Sequence, residues 1–176
     1  MPSFTIHIII ANEYYKKNKK EIKNYKEFID GTIAPDLCTD KITSHYEMCN
    51  KCNTNINFAL FFRDSRVDMS SDFWKGYFLH LVTDHLFYNY YFKQEYNNAI
   101  DKNESLYEDY FILNSKLIDG YKIDPIDRIK KFMITKKGEC KYLNYNKIKI
   151  FIDEIYNTKI NDYISQLNKL SFYKII

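Results

Sequence analysis

The segment Ser71–Phe92 constrains the fold more than any other, because it is apolar on almost every side when it is drawn as a helix. Ser71 or Asp72 can cap its first turn, and residues 76–92 contain no lysine or arginine. A helix that is apolar all round lies inside a protein rather than on its surface. We therefore predict a buried central helix over about residues 71–96, with other helices packed around it.

Two polar residues, His80 and Asp84, lie one turn apart on this apolar helix. An ionised aspartate in such surroundings costs several kcal/mol unless a cation or several hydrogen-bond donors compensate it. An imidazole and a carboxylate at this spacing can converge on one metal ion. Alternatively, Asp84 accepts hydrogen bonds from tyrosines or backbone amides, and His80 is a core histidine.

The composition favours a helical fold, because turn-forming residues are scarce. The 176 residues include only 4 glycines and 3 prolines, while 45% of the chain is hydrophobic and 18% is aromatic. These values argue against a turn-rich β sandwich or barrel and against a disordered chain. We predict a single all-α domain over residues 1–176, a multi-helix bundle whose metal-site half is 1–92 and whose helical remainder is 93–176.

Hydrophobic periodicity predicts a first helix over Ser3–Lys16 and a second over about Lys19–Asp30, ended by Gly31. Residues 32–57 have no clean period and are expected to be irregular, and long irregular segments in a compact domain are usually functional or disordered. Further helices are expected near Ser105–Asp119, Pro125–Thr135, Tyr145–Tyr156 and Asn161–Leu170.

The charge pattern gives no sign of a nucleic-acid partner, since the net charge of +3 is spread along the chain rather than gathered into a basic stripe. No basic residue precedes the apolar stretch Phe4–Ala11, and no run approaches the roughly 18 apolar residues that span a bilayer. We expect a cytoplasmic protein without a transmembrane segment. In that compartment the 4 cysteines are thiols or metal ligands rather than disulfides.

Three further residues in the first half can bind metal, although each has an ordinary explanation. Asp36 follows Pro35, which fixes the backbone and can aim a short carboxylate rigidly, but an Asx turn or N-cap explains it equally. His7, on the first helix, and His45, in the irregular segment, can each be a packed or exposed histidine.

Taken in order, these residues resemble the zinc-dependent phospholipase C family, which has the phospholipase C/P1 nuclease-like fold. The resemblance covers the first half of the chain to about residue 92, and the second half matches only as generic helix. The motifs that carry it are Met1-Pro-Ser-Phe-Thr-Ile-His7, Gly31-Thr-Ile-Ala-Pro-Asp36, Ser44-His45 and Gly76-Tyr-Phe-Leu-His80-Leu-Val-Thr-Asp84.

This resemblance implies an all-helical domain that holds one or two zinc ions, or another divalent metal. Asp36, His45, His80 and Asp84 would form one site, and His7 would form a neighbouring one with Asp84 as the bridging carboxylate. The implied activity is phosphoester hydrolysis, in which metal-activated water attacks phosphorus and Asp36 orients or deprotonates that water. The implied substrate is a small phosphoester or a phospholipid headgroup.

The chain also departs from the family. The amine of an N-terminal tryptophan is a zinc ligand in secreted members, whereas this chain begins Met1-Pro2, and no histidine follows His85 to supply the later ligands. A three-zinc cluster is therefore not expected. Tyr88, one turn beyond Asp84, is expected to hydrogen-bond a metal-bound carboxylate or phosphate, and His85 is expected to support the site or to pack beside it.

Cys49-Asn-Lys-Cys52 raises a separate hypothesis. With Cys38 and His45 it can form a Cys3His zinc site, or the two cysteines can form a redox pair. Unreactive thiols in a loop explain the same residues.

Two alternatives to a hydrolase of this family remain. One is a non-catalytic helical module in which a metal ion stabilises the core. The other is an HD-type nucleotide phosphohydrolase, although the order here is Asp84-His85 rather than His-Asp.

Overall fold

The structure is a computed structural model that describes residues 2–47, 56–92, 103–123 and 130–172. Within these ranges the chain is mostly helical and contains no strand, only an isolated bridge between Glu47 and Ile56. The all-α prediction is therefore confirmed. The described residues form the α-helices α1 (Phe4–Lys17), α2 (Tyr25–Leu37), α3 (Lys41–Ser44), α4 (Phe58–Arg63), α5 (Asp72–Leu86), α6 (Asn103–Tyr121), α7 (Tyr145–Asn157) and α8 (Ile160–Phe172).

The central helix is α5, and residues Gly76–Asp84 in its middle are all buried. The side chain of Ser71 caps it by accepting a hydrogen bond from the backbone N–H of Phe73. A π-helical turn, Phe87–Phe92, continues it, and the rest of the predicted span lies outside the described residues. The prediction of a buried helix here is confirmed, because apolar side chains on every side of α5 contact neighbouring helices.

Helix α2 crosses α5 closely, and two glycines make the crossing possible. A Cβ atom on Gly31 would lie 1.8 Å from the carbonyl oxygen of Phe73, and one on Gly76 would lie 2.0 Å from the carbonyl oxygen of Phe28. Only residues without a side chain allow the two backbones to approach this closely. The prediction that Gly31 ends the second helix is wrong, because α2 begins at Tyr25 and continues through Gly31 to Leu37.

The first and second halves of the described chain share one hydrophobic core. Helix α1 contacts α7 as well as α2, and the aromatic ring of Phe87 packs edge-on against that of Phe151 on α7. The expected helices near residues 105–119, 145–156 and 161–170 correspond to α6, α7 and α8.

The prediction of a helix over Pro125–Thr135 is wrong for residues 130–135, because only a 3₁₀ turn, Lys130–Phe132, forms there. Residues 125–129 lie outside the described residues. Among the helices that the structure describes, none is both long and apolar enough to cross a bilayer.

Candidate metal centre

The fold brings together five side chains from four parts of the sequence. Helix α1 supplies His7, the last turn of α2 supplies Asp36, the end of α3 supplies His45, and α5 supplies His80 and Asp84. We call this group the His/Asp cluster. All five side chains are at least nine-tenths buried.

Asp36 does not lie in an irregular segment, as the sequence suggested. It belongs to α2, which contains Pro35 in its last turn, and α3 forms a further helical turn within residues 32–57. The proline has no N–H to donate to the carbonyl four residues earlier, so the helix can end directly after Asp36 and Leu37. The carboxylate then points from the end of α2 toward α5 and His45.

Backbone carbonyls fix the orientation of two imidazoles. Nδ1 of His80 lies 2.8 Å from the carbonyl oxygen of Thr32, and Nδ1 of His45 lies 3.0 Å from that of Lys41. A carbonyl oxygen only accepts hydrogen bonds, so each Nδ1 carries the proton and donates it. The hydroxyl of Ser44, also 3.0 Å from Nδ1 of His45, donates its own proton to the carbonyl of Pro35. Each neutral ring therefore has its lone pair on Nε2, and the two Nε2 atoms face each other at 3.2 Å.

The distances around these nitrogens match the dimensions of a small ion's ligand shell. Nε2 of His80 lies 3.3 Å, and Nε2 of His45 lies 3.4 Å, from the same oxygen, Oδ2 of Asp84. The carboxylate oxygen Oδ1 of Asp36 lies 3.6 Å from Nε2 of His45. A tetrahedral zinc ion with bonds of about 2.0–2.1 Å separates its ligand atoms by about 3.3 Å. His45, His80 and Asp84 thus form three corners of a zinc-sized site, and Asp36 lies next to it, beside His45.

His7 contacts the other side of Asp84. Its Nε2 lies 3.2 Å from Oδ1 of Asp84, and its ring stacks on that of His80 with centroids 3.9 Å apart. His7, Asp36 and His80 also bring ligand atoms within 4.8 Å of one another. This group shares His80 with the group of His45, His80 and Asp84, so the two groups form one cluster rather than two separate sites.

The electrostatics of the cluster keep both carboxyl groups ionised. Burial by itself raises the pKa of Asp84, but the neighbouring His80 and His7 outweigh it and hold that pKa well below its usual range. Burial likewise raises the pKa of Asp36, and His45, His80 and His7 together lower it below its usual range.

The imidazoles respond in opposite directions. Burial, helped by the neighbouring His80, lowers the pKa of His7. Burial also acts to lower the pKa of His80, but the carboxylates of Asp84 and Asp36 outweigh it and raise that pKa.

Asp84 is the clearest test of whether the cluster fits a metal. Both its oxygens are buried, and among the described residues neither has a hydrogen-bond partner of acceptable geometry. A buried ionised carboxylate without donors is costly. The donors expected under the non-metal explanation, tyrosine hydroxyls or backbone amides, do not contact it in the described part of the chain. Imidazole nitrogens of His7, His45 and His80 instead lie 3.2–3.4 Å from its oxygens. The nitrogen and carboxylate ligands of the cluster suit zinc.

The other predicted site residues lie elsewhere or outside the described residues. The ring of His85 packs edge-on against Phe58 with centroids 5.5 Å apart, and its Nδ1 lies 3.2 Å from the amide of Asn89. Tyr88 is partly buried against the hydrophobic core. His85 is not grouped with the ligand atoms of the cluster in the described part of the chain, and the HD-type alternative stays a prediction.

The proposed cysteine site has little structural support. Cys38 is exposed and forms no disulfide, and Nε2 of His45 faces the His/Asp cluster instead. Cys49 and Cys52 lie outside the described residues.

Two residues near the cluster had no recognisable sequence signal. The ammonium group of Lys41 lies 3.4 Å from Oδ1 of Asp36, and Glu47 is close enough for its charge to interact with those of His45 and Asp84. Burial raises the pKa of Glu47. Both follow α2 in a region where periodicity gives no information.

Comparison of the chain with family models, with curated proteins and with solved structures finds no match.

Proposed function

We propose that the chain is a metal-dependent phosphoester hydrolase whose metal centre is the His/Asp cluster. The observation that carries the proposal is the facing pair of Nε2 lone pairs on His45 and His80, 3.2 Å apart and both directed at an ionised Asp84. Lone pairs repel at this distance unless a proton or a metal ion lies between them. The cluster supplies nitrogen and oxygen ligands at spacings that suit zinc.

A single metal ion would account for the arrangement of these five side chains. His45, His80 and Asp84 would hold it with Asp36 as the fourth protein ligand, and water would take a further position on the ion. His7 would orient Asp84 through Oδ1. The carbonyls of Thr32 and Lys41 would keep the two ligand imidazoles in the required tautomer, as partners of metal-bound histidines commonly do.

A bound divalent ion supplies hydroxide from water near neutral pH and a positive charge toward phosphate oxygens. Asp36 is suited to orient the attacking water through the carboxylate oxygen that does not hold the ion, because its carboxylate is ionised and is the least buried of the five side chains. Asp84 keeps the imidazoles in place from within the apolar core. The substrate proposed is a small phosphoester.

The test combines metal content with turnover. Protein purified without a nickel column is analysed for bound metals and assayed with bis(p-nitrophenyl) phosphate, with and without added zinc. We expect about one equivalent of a divalent metal in the natural chain and its loss in the His80→Ala/Asp84→Ala variant. His85→Ala is the matched control, since it removes a histidine from the same helix without touching the cluster. Equal metal content in the double variant and the control would refute the site.

A structural metal site is the second candidate, and the burial of the cluster favours it. The surface groove lined by Ile150 and Tyr163 and the one lined by Ile118 and Ile134 contain none of the cluster residues. This candidate predicts that chelation lowers the melting temperature, while no phosphoester is cleaved with any divalent ion. Cleavage that disappears on chelation and returns with zinc would exclude it.

A further inference from the structure

Tyr46, the residue directly after His45, has a backbone conformation that tyrosine rarely adopts. Its φ is 53°, in the left-handed region. The N–H of Tyr46 donates to the carbonyl of Thr43, and that of Glu47 donates to the carbonyl of Ile42. These two bonds are the Schellman pattern that closes a helix, here α3. Glycine usually occupies the left-handed position of this pattern, because it has no Cβ to clash with the backbone.

A side chain at this position needs contacts that offset the strain, and Tyr46 has them. Its hydroxyl donates a 2.7 Å hydrogen bond to Oδ2 of Asp64, and the guanidinium of Arg66 donates to both oxygens of the same carboxylate. Its buried ring packs edge-on against that of Phe61, with centroids 5.3 Å apart. Glycine would suit the backbone here but would make none of these contacts.

The residues on both sides of His45 are tied to neighbouring helices. On one side, the hydroxyl of Tyr77 on α5 donates a hydrogen bond to the carbonyl of Ser44. On the other side, Tyr46 contacts both ends of α4, because its carbonyl accepts a 2.8 Å hydrogen bond from the N-cap residue Asn57 and its hydroxyl reaches the C-cap residue Asp64.

His45 depends on such contacts more than the other members of the His/Asp cluster do. The other four lie on helices of 13–15 residues, whereas His45 follows the four residues of α3. A helix this short is not stable by itself, so contacts from outside α3 must fix the backbone from which the imidazole projects.

We propose that Tyr46 is a positioning residue for the metal ligand His45, and that Asp64 and Arg66 hold Tyr46 in place from the surface. This inference rests on the proposed metal centre. The guanidinium of Arg66 is mostly exposed, whereas the ring of Tyr46 is buried. The three side chains thus form a brace that begins at the surface and ends on the backbone of the most weakly anchored ligand.

The experiment compares two tyrosine-to-phenylalanine variants. Tyr46→Phe removes the hydroxyl that contacts Asp64 and leaves a ring in the core. Tyr121→Phe is the matched control, because its hydroxyl also donates to an aspartate that pairs with a cation, Asp153 with Lys149, outside the cluster. Zinc affinity is measured by competition with a chelator, the visible spectrum is recorded with cobalt(II) bound, and the melting temperature of the metal-free protein reports stability separately.

We expect Tyr46→Phe to weaken zinc binding by about 2- to 30-fold, the range for residues that act on a site through a neighbour, and to change the cobalt(II) spectrum. Tyr121→Phe should leave both as in the natural chain. If Asp64 acts through Tyr46, the double variant Tyr46→Phe/Asp64→Ala should bind zinc no more weakly than Asp64→Ala alone.

The outcomes separate this inference from the proposed function. Equal zinc affinity and equal cobalt(II) spectra in Tyr46→Phe and Tyr121→Phe would overturn the role of Tyr46 and leave the metal centre standing. Additive losses of zinc affinity in the double variant would overturn the role of Asp64. A natural chain that binds no zinc would overturn both this inference and the proposed function.

Discussion

Substituting Gly76 by alanine tests whether the close crossing of α2 and α5 builds the candidate metal centre. The new Cβ would lie 2.0 Å from the carbonyl oxygen of Phe28 and 2.9 Å from the backbone nitrogen of Thr32. Both neighbours are backbone atoms of α2, so rotation of a side chain cannot relieve the overlap. The two helices must separate instead.

The size of the separation follows from the distances. Moving the Cβ from 2.0 Å to a tolerable 3.0 Å requires a shift of about 1 Å between the helices. The hydrogen bond from Nδ1 of His80 to the Thr32 carbonyl, now 2.8 Å, crosses the same interface and would stretch beyond hydrogen-bonding range.

Three terms then contribute to the change in the free energy of unfolding. Overpacking costs about 1–3 kcal/mol, an unsatisfied buried hydrogen-bonding group costs about 1–3 kcal/mol, and alanine in a helix gains about 1 kcal/mol over glycine. We expect a net loss of about 1–5 kcal/mol in the free energy of unfolding, which lowers the melting temperature of a chain of this length by about 2–20 °C. Losing the orienting partner of a metal-ligating histidine should also weaken metal affinity by about 10- to 100-fold.

Thermal unfolding and zinc titration of the purified variant measure both effects. Gly120→Ala is the control, because its Cβ would meet only the hydroxyl end of the flexible Tyr145 side chain. That variant should stay within about 1 kcal/mol of the natural chain. If Gly76→Ala melts at the same temperature as Gly120→Ala and binds zinc equally well, the inference that the α2–α5 crossing positions the candidate metal centre is wrong.

Two further predictions concern carboxylates that hold backbone amides. Asp109→Ala should lower the free energy of unfolding, measured in urea, by about 3 kcal/mol. The buried carboxylate accepts hydrogen bonds from three consecutive backbone N–H groups, those of residues 141–143, at 2.6–2.8 Å. A loss below about 1 kcal/mol would contradict this prediction. Burial acts to raise the pKa of Asp72, but Lys75 and the backbone N–H groups of residues 23 and 24 lower it below 3.8. A lowered pKa means stability that is present above pH 3.8 and is lost as the pH falls through the folded-state value, so the urea midpoint of Asp72→Asn should fall less than that of the natural chain below pH 4.

Much of the fold could be predicted from the sequence where local signals are unambiguous. The predicted ends of α1 and α7 lie within one residue of the observed ends, because the apolar period of these segments is clear. Gly31 was misread because a glycine after a periodic segment predicts a helix end as readily as a close helix crossing. The partner that decides between them, Phe73, lies more than 40 residues along the chain.

The residues of the candidate site also differ in how far the sequence reveals them. The spacing of His80 and Asp84 was visible locally, whereas the approach of His7, Asp36 and His45 depends on tertiary contacts that only the ordered resemblance suggested. Lys41 escaped notice because its side chain resembles any solvated lysine until its contact with Asp36 is known. Whether the cluster holds an ion stays a prediction.

A proton and a divalent ion are alternative occupants of the cluster. Lys41 pairs with Asp36, so one charged imidazole is enough to neutralise Asp84. The carboxylates raise the pKa of His80, whereas burial and the stacked ring of His80, 3.9 Å away, lower the pKa of His7, so His80 is the imidazole that carries this proton. A single ion between His45, His80 and Asp84 instead places both positive charges at one point and satisfies the lone pairs that face it. Zinc binding should therefore release a proton, and calorimetry in buffers of different ionisation enthalpy will measure that release.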